Sequence, residues 1–177
     1  MRRRPLLACA ALALVNSTAQ ALDEPKGSVV LTLSGRIRHT NRSGAAAFDM
    51  AMLAQLPQRS FSVSTPWYDR ARKFSGPLLR DLLAAVGSVG PQLRAVALND
   101  YRVDIPADDA QRFDMLLATQ LDDQPMAVRD KGPLFIIYPF DSHTTLPLGS
   151  SSAWAVELTS ASAAQASRGR RRNMQCA

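Results

Sequence analysis

The sequence predicts an α+β fold of mixed β-sheets with short helices, and three observations lead there. Segments such as Ser28 to Leu33 (SVVLTL) and Ser60 to Ser64 (SFSVS) alternate and read as strands. The best-specified helix is short, running from Leu78 to Val86. Strands, hairpins and helical turns follow one another without the regular βα alternation of a parallel-sheet protein. At 177 residues and 46% hydrophobic content the chain makes one domain that can bury a core without staples.

Each element has its own signal. Ser28 to Leu33 leads as a strand into Gly35. Ala45 to Leu56 spaces Phe48, Met52 and Leu56 four apart, with Leu53 beside them, and Pro57 closes what reads as a short amphipathic helix. Pro66 stops the strand at 60–64. Ser75-Gly76-Pro77 opens the next helix, where Pro77 suits a first-turn position and Leu78, Leu79, Leu82, Leu83 and Val86 form one apolar face. Gly87 supplies a left-handed stop. Leu93 to Leu98, Asn99-Asp100 and Tyr101 to Ile105 read as a β-hairpin whose turn type stays open. Pro106 begins a helical turn carrying Asp108 and Asp109, Met115 to Thr119 is a strand, and Asp122 to Pro125 is a turn. Leu134 to Tyr138 (LFIIY) is a continuous apolar run, as a strand buried on both faces requires. Ala153 to Leu158 is a closing strand.

The termini differ in character from the body. Arg2, Arg3 and Arg4 precede an apolar stretch from Leu6 to Val15, then Ala19-Gln20-Ala21, the anatomy of a secretory signal cleaved after Ala21. The short charged region and greasy middle favour the unfolded export route over the twin-arginine route that Arg3-Arg4-Pro5-Leu6-Leu7 resembles. Cys9 comes too early for a lipobox. Residues 159–177 are small and polar, then basic, and read as a disordered tail. The expected organisation is a signal peptide at 1–21, a folded domain at 22–158 and the tail at 159–177. The formal charge of +6 belongs to the ends, since residues 22–158 carry 14 Lys and Arg against 15 Asp and Glu, a net of −1. A phosphate-binding face needs cations clustered on the body, so nucleic acid is not the expected partner. No apolar run reaches the ~20 residues of a membrane-spanning helix.

Several chemistries lack their residues. His39 and His143 stand in unrelated contexts, without His-Glu-x-x-His, and the two cysteines, Cys9 and Cys176, flank the domain. Gly-x-Ser-x-Gly, a Walker loop and Gly-x-Gly-x-x-Gly are absent. Asp141-Ser142-His143 holds triad letters, but three consecutive residues do not point into one relay. What stands out is aromatic and ionic residues in four loops: Thr65-Pro66-Trp67-Tyr68-Asp69, Asn99-Asp100-Tyr101-Arg102, Arg129-Asp130-Lys131-Gly132-Pro133 and Tyr138-Pro139-Phe140-Asp141. Singly, each has a plain reading: Trp67 as a lid on the core, Asn99-Asp100 as a turn, Asp130-Lys131-Gly132 as a surface turn. Together they suit a flat polar heterocycle, on which rings stack while carboxylates and cations read its edge.

The same segments carry a resemblance. Trp67-Tyr68-Asp69, Phe74-Ser75-Gly76-Pro77-Leu78-Leu79-Arg80-Asp81-Leu82-Leu83, Ala97-Leu98-Asn99-Asp100-Tyr101, Ile105-Pro106, Pro125-Met126, Arg129-Asp130-Lys131-Gly132-Pro133-Leu134 and Tyr138-Pro139-Phe140-Asp141 occur in that order over residues 28–158. As a set they resemble the small exported proteins built on the molybdopterin-binding domain of sulfite oxidases. The resemblance implies mixed sheets with a pterin site built from loops at one edge. Enzymes of that family hold molybdenum partly through a cysteine thiolate, which by resemblance falls near Ser60 to Trp67. Here that stretch offers Ser60, Ser62, Ser64 and Thr65 but no Cys. The ending Ser151-Ser152-Ala153-Trp154-Ala155-Val156 departs from the family's Arg-Ser-Ala-Trp-Gln-Leu strand, with Ser152 in the cation's place.

The cysteine-less pattern looks like that of periplasmic pterin-binding regulators, which work beside membrane-bound proteins that make or degrade cyclic-di-GMP. The expectation is a periplasmic, non-catalytic module that binds a pterin or molybdopterin, holds no metal, and signals to the periplasmic region of a diguanylate cyclase or phosphodiesterase. Trp67 is expected to stack on the ring, with Tyr101 as a second wall. Asp100, beside Asn99, is expected to accept hydrogen bonds from the amino-pyrimidine edge. Arg129 and Lys131 are expected to meet a carbonyl, side chain or phosphate. The alternatives are a molybdenum-cofactor-dependent oxidoreductase of the sulfite oxidase type and an interaction domain without ligand.

Overall fold

The computed structural model describes residues 22–65, 68–97, 100–139, 153–154 and 157–161. The expected signal peptide and residues 162–177 lie outside them. Twelve strands and three short helices are described. In chain order they are β1 (Val29–Gly35), β2 (Ala45–Asp49), α1 (Met50–Gln55), β3 (Gln58–Val63), β4 (Arg72–Pro77), α2 (Leu79–Ala85), β5 (Gln92–Val96) and β6 (Arg102–Pro106). There follow α3 (Ala107–Arg112), β7 (Leu116–Ala118), β8 (Gln120–Leu121), β9 (Gln124–Pro125), β10 (Phe135–Ile137), β11 (Ala153–Trp154) and β12 (Glu157–Ala161). A turn of 3-10 helix, Val128–Asp130, precedes β10. The fold is α+β, as expected.

The strands form three sheets with orders β2-β1-β12-β5-β6, β11-β10-β7 and β3-β4-β8-β9. The small sheet β11-β10-β7 is the middle layer. Leu117 and Ile136 join one apolar cluster with Leu31, Phe48, Leu79, Leu82, Leu93 and Ile105. Their neighbours Leu116, Ala118, Phe135 and Ile137 join a second cluster with Val63, Phe74, Leu121 and Met126. Successive strand residues point to opposite faces, so two cores demand an unbroken apolar run. That is why LFIIY lacks alternation.

Four boundaries differ from the sequence reading. Residues 45–49 are a strand, not the first half of a helix. Gly44, at φ +69°, turns the chain so that Ala45–Asp49 pairs antiparallel with β1. The fourfold spacing of Phe48, Met52 and Leu56 arises across a strand–helix junction, and all three pack on the first core. Residues 72–77 are likewise a strand, and Pro77 ends it instead of opening α2. The start of α2 has no side-chain cap; the Leu79 N–H donates to the Met115 carbonyl, 2.8 Å away. Leu79, Leu82, Leu83 and Val86 form the buried face, and Gly87 at φ +59° ends the helix as expected. The closing strand is two strands in two sheets, with β11 against β10 and β12 between β1 and β5. Finally, β12 continues through Ala161, three residues beyond the boundary drawn at 158. Thr159, Ser160 and Ala161 carry no apolar pattern; ladders to β1 and β5 hold Thr159 and Ser160, and the β5 ladder holds Ala161.

Candidate functional site

Three loops carry the nominated residues, and strand register fixes where each begins. The β3–β4 hairpin is paired out to Val63 and Arg72. Beyond that pair, Tyr68 returns onto the second core, with its ring 6.2 Å from Phe74. The Arg72 guanidinium lies 5.0 Å from the Tyr68 ring centre while its Nε donates to Asp122 at 2.6 Å. The Lys73 backbone N–H, then Arg72, hold the Asp122 carboxyl below its usual value. Tyr68 is thus fixed by a cation on one side and an aromatic core on the other. Trp67, the expected stacking residue, lies outside the described residues.

The β5–β6 hairpin is paired out to Val96 and Arg102. Past it, the Ala97 N–H donates to Tyr101 O at 2.8 Å and the Asp100 N–H to Ala97 O at 3.1 Å. Asp100 sits at φ +61°, a left-handed conformation that Asp tolerates better than most residues. Its carboxylate is exposed, 4.0 Å from the Arg102 guanidinium, a separation at which the pair is weak. Tyr101 is 51% exposed. Asn99 lies outside the described residues.

The third loop runs from Met126 to Pro133. Arg129 is exposed in the 3-10 turn, and Lys131, half-buried, follows at φ +69°. Gly132 closes the turn by donating from its N–H to Ala127 O at 2.9 Å. A Cβ on Gly132 would lie 2.1 Å from Met126 O, so no larger residue fits without moving backbone. Arg129 and Lys131 are therefore presented by a tightly closed turn.

Register brings these three loops to neighbouring strand ends. Val96, the last residue of β5, opposes Glu157, the first of β12. Three residues earlier, Trp154 opposes Phe135, the first residue of β10. Phe135 follows the 126–133 loop after Leu134 and also opposes Ala118, the end of β7. Cross-strand neighbours lie about 5 Å apart and three residues span at most about 10 Å, so the hairpin carrying Asp100 and Tyr101 and the turn carrying Arg129 and Lys131 leave from one edge. Tyr68 packs on the second core with Met126 and Phe135, which brings Tyr68 toward the same edge.

Tyr138, which opens the fourth loop, separates from this group. Tyr138 is buried against Phe113, and its hydroxyl donates to Asp109 of α3 at 2.9 Å. Burial, then the Asp109 carboxylate, pushes its phenol pKa upward, so it stays a protonated donor. Tyr138 braces α3 against β10. Phe140 and Asp141 lie outside the described residues.

One residue was underrated by sequence reasoning. The alternation of β3 continues past its end: Phe61 is half-buried, Val63 and Thr65 are buried, and Ser60, Ser62 and Ser64 are exposed. Thr65 is 8% exposed, and its Oγ1 is buried with no hydrogen-bond partner. The signal was in the sequence, as the parity of a period-2 segment extended by two residues.

Among the described residues, no group of three or more His, Cys, Asp or Glu is placed to hold a metal ion. No helix among them is long and apolar enough to cross a membrane.

No protein-family model matches the sequence, and no curated protein matches it. Solved structures do. They include the sulfane dehydrogenase SoxCD from Paracoccus pantotrophus, at a TM-score of 0.57 and 16% identity. The match covers 78% of this chain and 39% of that one, so the chain spans about two fifths of that relative's length. At this identity the likeness shows the fold, which is the mixed-sheet α+β arrangement of the sulfite-oxidase type.

Proposed function

We propose that this chain is a non-catalytic pterin-binding module that acts in the periplasm and signals to a membrane partner, the exported region of a protein that makes or degrades cyclic-di-GMP. One observation carries the binding half. Loops bearing Tyr68, Asp100, Tyr101, Arg129 and Lys131 leave from neighbouring strand ends of a sulfite-oxidase-type fold. A planar heterocycle needs this mixture: rings for its faces, a carboxylate for its amino edge, cations for carbonyl or phosphate. The roles of Trp67 and Asn99 in that site, the compartment and the partner belong to the proposal and rest on the sequence pattern.

The residues fit the pterin better than the metal. A buried, unpartnered hydroxyl at Thr65 favours a guest that hydrogen-bonds. Soft metals of this kind are held by thiolates, and the domain has no cysteine between Cys9 and Cys176. A threonine hydroxyl is a harder donor and stays protonated at neutral pH, so the donor set does not suit a molybdenum centre. This favours the binding module over the oxidoreductase reading.

The test is quenching of tryptophan fluorescence by oxidised and tetrahydro pterins. Wild type should quench saturably, and Trp67→Ala should bind at least about tenfold more weakly, as loss of a stacking ring implies. No quenching of wild type by either pterin sinks the proposal. Molybdenum at one atom per chain, in protein exported by a cofactor-competent host, would favour the oxidoreductase instead.

A further inference from the structure

We infer that Thr65 is a ligand-reading residue of this site, its hydroxyl a hydrogen-bond partner for the polar edge of the bound heterocycle; the inference rests on the pterin reading above.

Four hydroxyls occupy the stretch in which the family's thiolate would stand. Ser60, Ser62 and Ser64 lie on the exposed parity of the strand. Thr65 alone lies on the inward parity, with Val63 before it and Tyr68 three residues on. Its backbone is engaged, since Thr65 O accepts from the Tyr68 N–H at 3.4 Å. Its Oγ1 is not.

A buried hydroxyl without a partner forfeits its hydrogen bonds to water and gains nothing in return. Such a group is a rare feature of a folded protein and calls for a partner that none of the described residues supplies. Valine has nearly the same shape and would fill the position without that penalty. The oxygen is closed to bulk water, so a guest that meets it must displace the atoms that bury it. A hydroxyl both donates and accepts. It can therefore read either the carbonyl or a ring nitrogen of the pterin's edge, complementing the acceptor-only carboxylate of Asp100.

The experiment is a set of fluorescence titrations with 2-amino-4-oxopteridine on wild type, Thr65→Val and Thr65→Ser, with a thermal melt of each free protein. Thr65→Val should bind about five- to tenfold more weakly, the worth of one hydrogen bond lost inside a site. Thr65→Ser should stay within about twofold of wild type. Free Thr65→Val should melt at or above the wild-type temperature, because an unpartnered hydroxyl has been removed. Wild-type affinity in Thr65→Val overturns the inference and leaves the pterin reading standing. A clear fall in the free Tm of Thr65→Val, with Tm retained in Thr65→Ser, also overturns it, by showing that the hydroxyl has a partner without ligand. No quenching of wild type overturns both readings. Should Thr65→Val fail to fold, Thr65→Ala provides the same comparison of affinities.

Discussion

Asp49 shows how one side chain ties local to distant structure. Its Oδ1 accepts from the Met52 N–H at 2.8 Å and caps α1, while its Oδ2 accepts from the Gly27 N–H at 2.7 Å. The Met52 bond, then the Gly27 bond, hold its carboxyl below the usual 3.8. The charged form is favoured by folding, so this contribution is complete above about pH 4 and disappears as pH falls through the lowered folded value. Asp49→Ala should reduce Tm by about 3–5 °C at pH 7. The gap between variant and wild type should narrow below pH 4; thermal melts across pH 3–7 check both. A buried acid of this kind invites a catalytic reading, but both its oxygens are engaged in backbone support. Thr65 is the opposite case, a buried polar atom with nothing to support.

Among the elements, β4 approaches β7 closely. A Cβ at Gly76 would lie 2.1 Å from Leu117 O, and that contact is backbone on both sides. Nothing there can rotate away. Gly76→Ala should therefore cost more than about 3 kcal/mol, measured by urea unfolding, or leave the chain unfolded. Gly76 was legible in the sequence only as part of Ser75-Gly76-Pro77, which suggested the opening of a helix. Local signals for a helix start and for a closely packed strand end coincide here, and the neighbouring strand decides between them. In contrast, β1, β3, β5, β6 and β10 were legible from alternation or an unbroken apolar run, because burial on one face or two leaves that imprint directly.

On the scale of the molecule, two cores share the thin middle sheet, and the loops of the candidate site gather where β5, β7, β10 and β12 begin or end. β12 matters most to this arrangement, since it pairs parallel with β1 and antiparallel with β5 at the centre of the five-stranded sheet. Ser160 opposes both Gly35 and Leu93. A chain ending after Leu158 loses the pairings of Thr159, Ser160 and Ala161, whereas one ending after Ala161 keeps them. Expression of both truncations should yield soluble, cooperatively melting protein only for the longer one. Equal melting temperatures would show that the sheet does not depend on these residues.

From the sequence alone came the α+β class, the hairpin carrying Asp100 and Tyr101, the short α2 with its Gly87 stop, and the loops whose residues suit a pterin. These are local properties, written as side-chain period and turn chemistry within a few residues. Only tertiary structure decided that residues 45–49 and 72–77 are strands, that the closing segment serves two sheets, that Tyr138 is a brace, and that Thr65 stands alone among four hydroxyls. Each of those depends on what lies across a ladder or beneath a loop, and partners dozens of residues away leave no mark on the segment that meets them.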